Sequence, residues 1–238
     1  VSSLSRAALR LLVPRDPDAA GAGMRRRALA ALMPRMLEQH DLPDLLRLLD
    51  GSESPGASDE ARQVVEALRR RPTTCLYRSL AAFASLRATG ERVRIVIGVR
   101  VEKGEVVAHA WLEKDGEPVG EPSDPRLRFT EAFVYPPAQE ARDGIMAATP
   151  SNRDVILTEM KDGTGVLLDL RSKFYFTLNA TGVAAWKLIA SGEASTATAI
   201  AERIARDFEA PALAEVEADV AALLAELRAE GLLPEGTR

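Results

Sequence analysis

The chain has a single cysteine, Cys75, and it sits where a helix begins. Pro72-Thr73-Thr74-Cys75-Leu76 offers Thr73 or Thr74 as a cap, which puts the thiol in the first helical turn. There the unpaired backbone N–H groups and the helix dipole favour a thiolate, the form of cysteine that attacks carbonyls. The dipole is a modest lever, so such a nucleophile also needs a base. One of the two histidines, His109 in Ala108-His109-Ala110-Trp111, is the candidate, 34 positions downstream. Taken alone, a cysteine after a cap is more often a small core residue. Nucleophilic catalysis is suggested by the succession: a helix opening on Cys, strands, a His on a strand, a turn and an acid.

The acid that would orient His109 depends on a turn. Val106 to Glu113 reads as a strand and Glu117 to Glu121 as its partner, joined through Lys114-Asp115-Gly116. A three-residue loop with Gly116 in the left-handed region sets Glu113 opposite Glu117 and therefore Glu121 opposite His109. Directly opposed Cβ atoms lie about 4.5–5.5 Å apart, close enough for a carboxylate to hold an imidazole N–H. A two-residue Asp115-Gly116 loop turns Glu121 to the other face, leaving Glu113 or Asp124 as the acid to test. Pro118 and Pro122 mark the partner as an edge or interrupted strand.

These residues need a helix and a sheet to carry them. Cys75 to about Ala88 places Leu76, Leu80, Phe83 and Leu86 on one stripe, and Gly90 ends the helix. Arg92 to Arg100 alternates as a strand, and Gly104 marks the hairpin into the His109 strand. A helix laid on an antiparallel sheet makes the expected class α+β. Trp111 shares the His109 face, as a cleft wall or as core. Upstream, residues 1 to 71 read as broken helices, Arg6 to Val13, Arg25 to Gln39, Asp44 to Leu49 and Asp59 to Arg70, packing around this region. His40 reads as a polar residue ending a helix.

After residues 72 to 135, the Pro-containing stretch 136 to 153 has the composition of a linker. Residues 154 to 238 then predict three strands, Val155 to Met160, Gly165 to Leu170 and Lys173 to Leu178. Three helices follow, Ala180 to Ala190, Ser195 to Asp207 and Ala212 to Glu230, a small winged-helix-like module. Its last helix carries Glu215, Glu217, Asp219, Glu226 and Glu230 against Arg228, so anionic DNA would be repelled and a peptide suits it better.

Composition narrows the classes further. With 238 residues, 46 % of them hydrophobic, one or two cores can form, and a net charge of −4 argues against a phosphate-binding surface. One Cys and two His leave no ligands for a disulfide or a Cys-rich zinc site, so neither metal nor cofactor is expected. No apolar run reaches the 18 residues of a membrane span, and the expected location is cytoplasmic.

Cys75-Leu76-Tyr77-Arg78-Ser79-Leu80-Ala81, together with His109-Ala110-Trp111-Leu112-Glu113 and Asp115-Gly116, resembles the transglutaminase-like leader peptidases of lasso-peptide biosynthesis, the microcin-processing B proteins. The similarity spans residues 58 to 125. It implies a transglutaminase or papain-like cysteine peptidase that removes the leader of a ribosomally made precursor, with Cys75 as nucleophile and His109 as base. The third position, often Asp in that family, falls on Glu121.

A second block, Phe174 to Gly182, then Trp186-Lys187-Leu188, and Asp219-Val220 through Leu227 to Gly231-Leu232-Leu233, is similar to PqqD-like precursor-recognition domains. There a leader adds a strand to the third strand and tucks against the last helix, a case of β-augmentation. The resemblance implies an edge at Lys173, Phe174, Tyr175, Phe176 and Thr177 and a wall at Val216, Val220, Leu223 and Leu227. Several of these apolar residues are alternatively core. Lasso systems that fuse the two parts usually place the recognition domain first, whereas here it follows. The expected partners are the precursor peptide and a macrolactam-forming cyclase. An acyltransferase and a non-catalytic precursor chaperone are the competing functions.

Overall fold

A computed structural model of the protein describes residues 32–50, 74–137, 154–208 and 212–233. The expected helices Arg6 to Val13 and Asp59 to Arg70, and most of the linker stretch, lie outside them. The chain is α+β and divides into two compact units. No described helix is long and apolar enough to cross a membrane.

Among the described residues, the first of the first unit's helices covers 32–39 (α1), closed by the His40 N–H on the Met36 carbonyl. Asp41 then caps α2 (Leu42–Asp50) by accepting the Asp44 N–H at 2.8 Å. Leu42, Leu45, Leu46 and Leu49 fall at helical spacing and are all buried. α3 (Cys75–Arg87) follows its Thr74 cap, whose hydroxyl accepts the Tyr77 N–H. The sequence predicts one apolar stripe on α3, but the helix is buried all round from Ser79 to Leu86. Small residues explain this: Ala81, Ala82, Ala84 and Ser85 let the helix be enclosed on every side, and the Ser85 hydroxyl is satisfied by the Ala81 carbonyl. At its C-terminal end Arg87 pairs with Asp50, which also accepts the Tyr135 hydroxyl.

The sheet of this unit has the order β3-β2-β1-β4, made of β1 (Val93–Glu102), β2 (Glu105–Lys114), β3 (Glu117–Val119) and β4 (Thr130–Tyr135). Lys103 and Gly104, both at positive φ, form the tight turn between β1 and β2. A bulge in the β1–β4 pairing falls between Ile97 and Gly98. Gly98 is glycine for lack of room: a Cβ there would lie 2.7 Å from the Trp111 ring and 2.8 Å from Phe129 Cβ.

The second unit holds a three-stranded antiparallel sheet, β5 (Val155–Glu159), β6 (Gly165–Asp169) and β7 (Tyr175–Leu178) with β6 in the centre. Its helices are α4 (Ala180–Ala190), α5 (Ala197–Asp207) and α6 (Leu213–Ala229). Asn179 caps α4 through the Gly182 N–H at 2.8 Å, and Thr196 caps α5. Leu167 and Leu178 from the sheet join Val183, Trp186, Ile200 and Leu224 from the helices in one core.

Candidate active site

Cys75 and His109 meet where the sheet runs out of strands. β3 pairs with β2 only from Leu112 to Lys114. Because Lys114 and Glu117 flank a two-residue turn they form a hydrogen-bonded pair, and alternation directs the main-chain groups of Ala110 to the same side, past the end of β3. α3 fills that gap. The Ser79 hydroxyl donates to the Ala110 carbonyl at 2.8 Å, while the Ala110 N–H is directed to the Cys75 sulfur. Cys75 and Ser79 are four residues apart, hence on one helical face.

The thiol is half-buried, and burial by itself would raise its pKa. Hydrogen bonds from the His109 ring and from the Ala110 and Leu76 N–H groups, with the field of the imidazolium, outweigh that and hold it below the usual 9.0. His109 moves the other way, from 6.5 to about 9, through its hydrogen bond to Cys75 and then that to Glu121, against the opposing effect of burial. The two shifts run in opposite senses, favouring the ionised form of each partner. His109 Nε2 lies 2.9 Å from Glu121 Oε2, which leaves Nδ1 for the sulfur. Trp111 stacks beside the imidazole, with centroids 6.0 Å apart and planes at 19°, and Phe129 lies at 5.4 Å.

Glu121 arrives by a route other than the expected cross-strand ladder. The turn is Asp115-Gly116, both at positive φ, and the pairing sets Lys114 opposite Glu117 and Leu112 opposite Val119. That is the register expected to turn Glu121 away. The strand instead stops at Val119, and Gly120, at φ +76°, redirects the chain so that Glu121 returns to His109. The other two acids are engaged elsewhere. Glu113, 1 % exposed, takes two bonds from Arg94 on one oxygen and the Trp111 indole N–H on the other. Asp124 caps a 3-10 turn at Pro125–Leu127 and pairs with Arg126. Trp111 is core, fully buried, and packs beside the imidazole at the same time.

In the second unit β7 is an edge of the sheet. The Asp169 N–H donates to the Phe174 carbonyl, so alternation turns the Phe176 and Leu178 main chain toward β6 and that of Tyr175 and Thr177 to the opposite side of β7, which no described strand pairs. Two expectations need correction here. Lys173, expected in the strand, lies outside it at φ +64°, and the ladder proper begins at Tyr175. Phe174 is 68 % exposed, so the core alternative does not hold for it. Val216, Val220 and Leu227 face the core of their own unit, which leaves Leu223, partly buried, as the apolar member of that set nearest the surface. Helix periodicity carries the reason: these three recur at the spacing of the inward stripe that α6 needs to pack against α4 and α5.

Sequence reasoning missed Ser79, Gly120 and Phe129 as parts of the site. A polar residue one turn after Cys75 and a glycine directly before Glu121 were the available signals. Among the described residues no group of three or more His, Cys, Asp or Glu side chains is placed to hold a metal ion.

A family model described as the transglutaminase-like superfamily matches residues 6–134, over half of the chain, and the chain belongs to that superfamily. A second model, described as coenzyme PQQ synthesis protein D (PqqD), matches residues 164–233, so a PqqD-like domain follows the transglutaminase-like part. No curated protein matches the chain significantly. A solved structure described as TbiB1 in complex with the TbiA(beta) leader peptide is 28 % identical, over 37 % of this chain and 96 % of that one, with a TM-score of 0.32.

Proposed function

We propose that the protein is a leader peptidase: the PqqD-like domain binds the leader of a ribosomally synthesised precursor peptide, and the Cys75 centre cleaves the bond that joins leader to core. The observation that carries the catalytic half is the continuous chain from Cys75 to His109 to Glu121 at a helix N-terminus. The Cys75 thiolate adds to the scissile carbonyl carbon. As the C–N bond breaks, the imidazolium proton passes to the leaving amine, leaving a thioester on Cys75. Water then attacks the thioester, His109 takes its proton, and the C–S bond breaks to release the leader acid. Glu121 orients the ring and stabilises its charge, and N–H groups at the start of α3, that of Cys75 among them, face the developing oxyanion. Binding is supported by the PqqD match and by the open edge of β7 at Thr177.

The direct test incubates the full chain with its cognate precursor and reads masses. Two fragments that together equal the precursor plus one water support hydrolysis. An amine-linked product would make the protein an acyltransferase instead. Cys75→Ala should abolish the fragments while leader binding persists, and cleavage by that variant at the parent rate would remove the peptidase reading.

A further inference from the structure

Beside His109, on the Glu121 side, lies a cleft of about 320 Å³ within the first unit. Its apolar walls are Ala82, Leu112, Val119 and Pro122. Three charged or titratable side chains line it: Arg78, His109 and Glu121. His109 and Glu121 are bonded to each other, so neither is left over. Arg78 is half-buried, and among the described residues its side chain has no hydrogen-bond or ion-pair partner, unlike the guanidinium groups of Arg87, Arg94 and Arg126 in the same unit. A partly desolvated guanidinium with nothing to bind is unfavourable, and its planar fork fits a carboxylate better than any other peptide group. Arg78 is also three residues after Cys75, so both project from one face of α3 and a chain held at the sulfur runs past the guanidinium.

We propose that this cleft is a substrate side-chain subsite selective for a carboxylate, in which Arg78 binds an aspartate or glutamate of the precursor close to the scissile bond. The apolar walls cover the methylene stem and Arg78 meets the acid at its end. The proposal rests on the reading that Cys75 attacks a peptide.

The test uses the single cysteine, so that a failure of the peptidase reading stays separate. Iodoacetate and iodoacetamide alkylate Cys75 at the same carbon but differ by one carboxylate. Arg78→Gln should slow iodoacetate relative to iodoacetamide by roughly threefold to tenfold, the scale of one nearby charge in a partly screened cleft. Arg78→Lys should keep most of the parent ratio, and Arg78→Glu should lower it further. An unchanged iodoacetamide rate in each variant shows that the Cys75–His109 pair is intact. A parent-like ratio in both Arg78→Gln and Arg78→Glu overturns the proposal. With the precursor, changing the acidic residue within three positions of the cut to its amide should lower kcat/KM about tenfold in the parent and leave Arg78→Gln unaffected, the scale of a charge-assisted bond. A cut site with no Asp or Glu that near also overturns it. If the ratio responds but no precursor is cleaved, the peptidase reading falls and the carboxylate site stands.

Discussion

Replacing His109 by Ala isolates the ion pair from the rest of the site, because Cys75 keeps its helix N-terminus and its burial and loses only the imidazolium. Burial is then opposed by the Ala110 and Leu76 N–H groups alone, and the thiol pKa rises toward or beyond its ordinary 9.0. A thiol at that value is only about one per cent ionised at pH 7, so the thiolate population falls by up to about a hundredfold. The more basic thiolate that remains is more nucleophilic, and a Brønsted slope of about 0.4–0.5 returns roughly half of that loss on a logarithmic scale. The net expectation is slower alkylation by iodoacetamide at pH 7, by up to about tenfold, with parent and variant converging above pH 9, where both thiols are ionised and the parent's imidazole has lost its proton. Mass spectrometry reads the rate without ambiguity, since the chain has one cysteine. Superimposable pH profiles for His109→Ala and the parent would refute the thiolate–imidazolium pair. The sign also constrains turnover. A histidine raised to about 9 keeps its proton up to that pH, so cleavage should decline on the alkaline side near pH 9, where the leaving amine loses its acid, rather than near 6.5.

Glu121→Gln removes a charge-assisted bond worth about 1.5–3 kcal/mol and should lower kcat/KM by roughly tenfold to a hundredfold, less than His109→Ala, while Glu121→Asp keeps part of the rate; a parent-like Glu121→Gln would mean that the 2.9 Å contact does no chemical work. Gly98→Ala forces a methyl into the space held by the Trp111 ring and Phe129, a change that costs about 1–3 kcal/mol and should lower the melting temperature measured by circular dichroism. Thr177→Pro removes one main-chain donor from the open edge of β7, so a labelled leader should bind the full chain roughly two- to tenfold more weakly in fluorescence anisotropy, with Thr177→Ala near the parent.

The sequence made most elements legible because local chemistry agreed with tertiary need. Thr74 caps α3 where side-chain chemistry predicts a cap, and α4 spans Ala180–Ala190 as expected, while α5 starts at Ala197 rather than Ser195 because Thr196 serves as its cap. Legibility failed where a residue's environment is supplied by another segment. Nothing local says that α3 is enclosed on all sides, or that Glu113 belongs to Arg94, 19 residues earlier. The acid shows the limit most sharply. Strand periodicity assigns Glu121 to a face only while the strand continues, and the residue that ends it, Gly120, is silent in a periodicity argument yet decides where the carboxylate goes.

The position of the centre follows from the same incomplete strand. A three-residue β3 leaves the Ala110 N–H and C=O without a β partner, and a buried main-chain pair of that kind must be satisfied by something. Two side chains one turn apart on α3 do so, a sulfur accepting the N–H and a hydroxyl donating to the carbonyl. The bonds that close the sheet edge therefore also set Cys75 against the residue next to His109, so sheet termination and placement of the thiol are one geometric event. Ser79→Ala separates the two consequences: it removes no group that bonds the sulfur directly but strands the Ala110 carbonyl and loosens the register of α3 on β2. If the register matters, that variant should alkylate more slowly at pH 7 and recover at pH 9, whereas a purely structural serine would lower the melting temperature by the cost of one unsatisfied carbonyl, about 1–3 kcal/mol, with the pH profile unmoved.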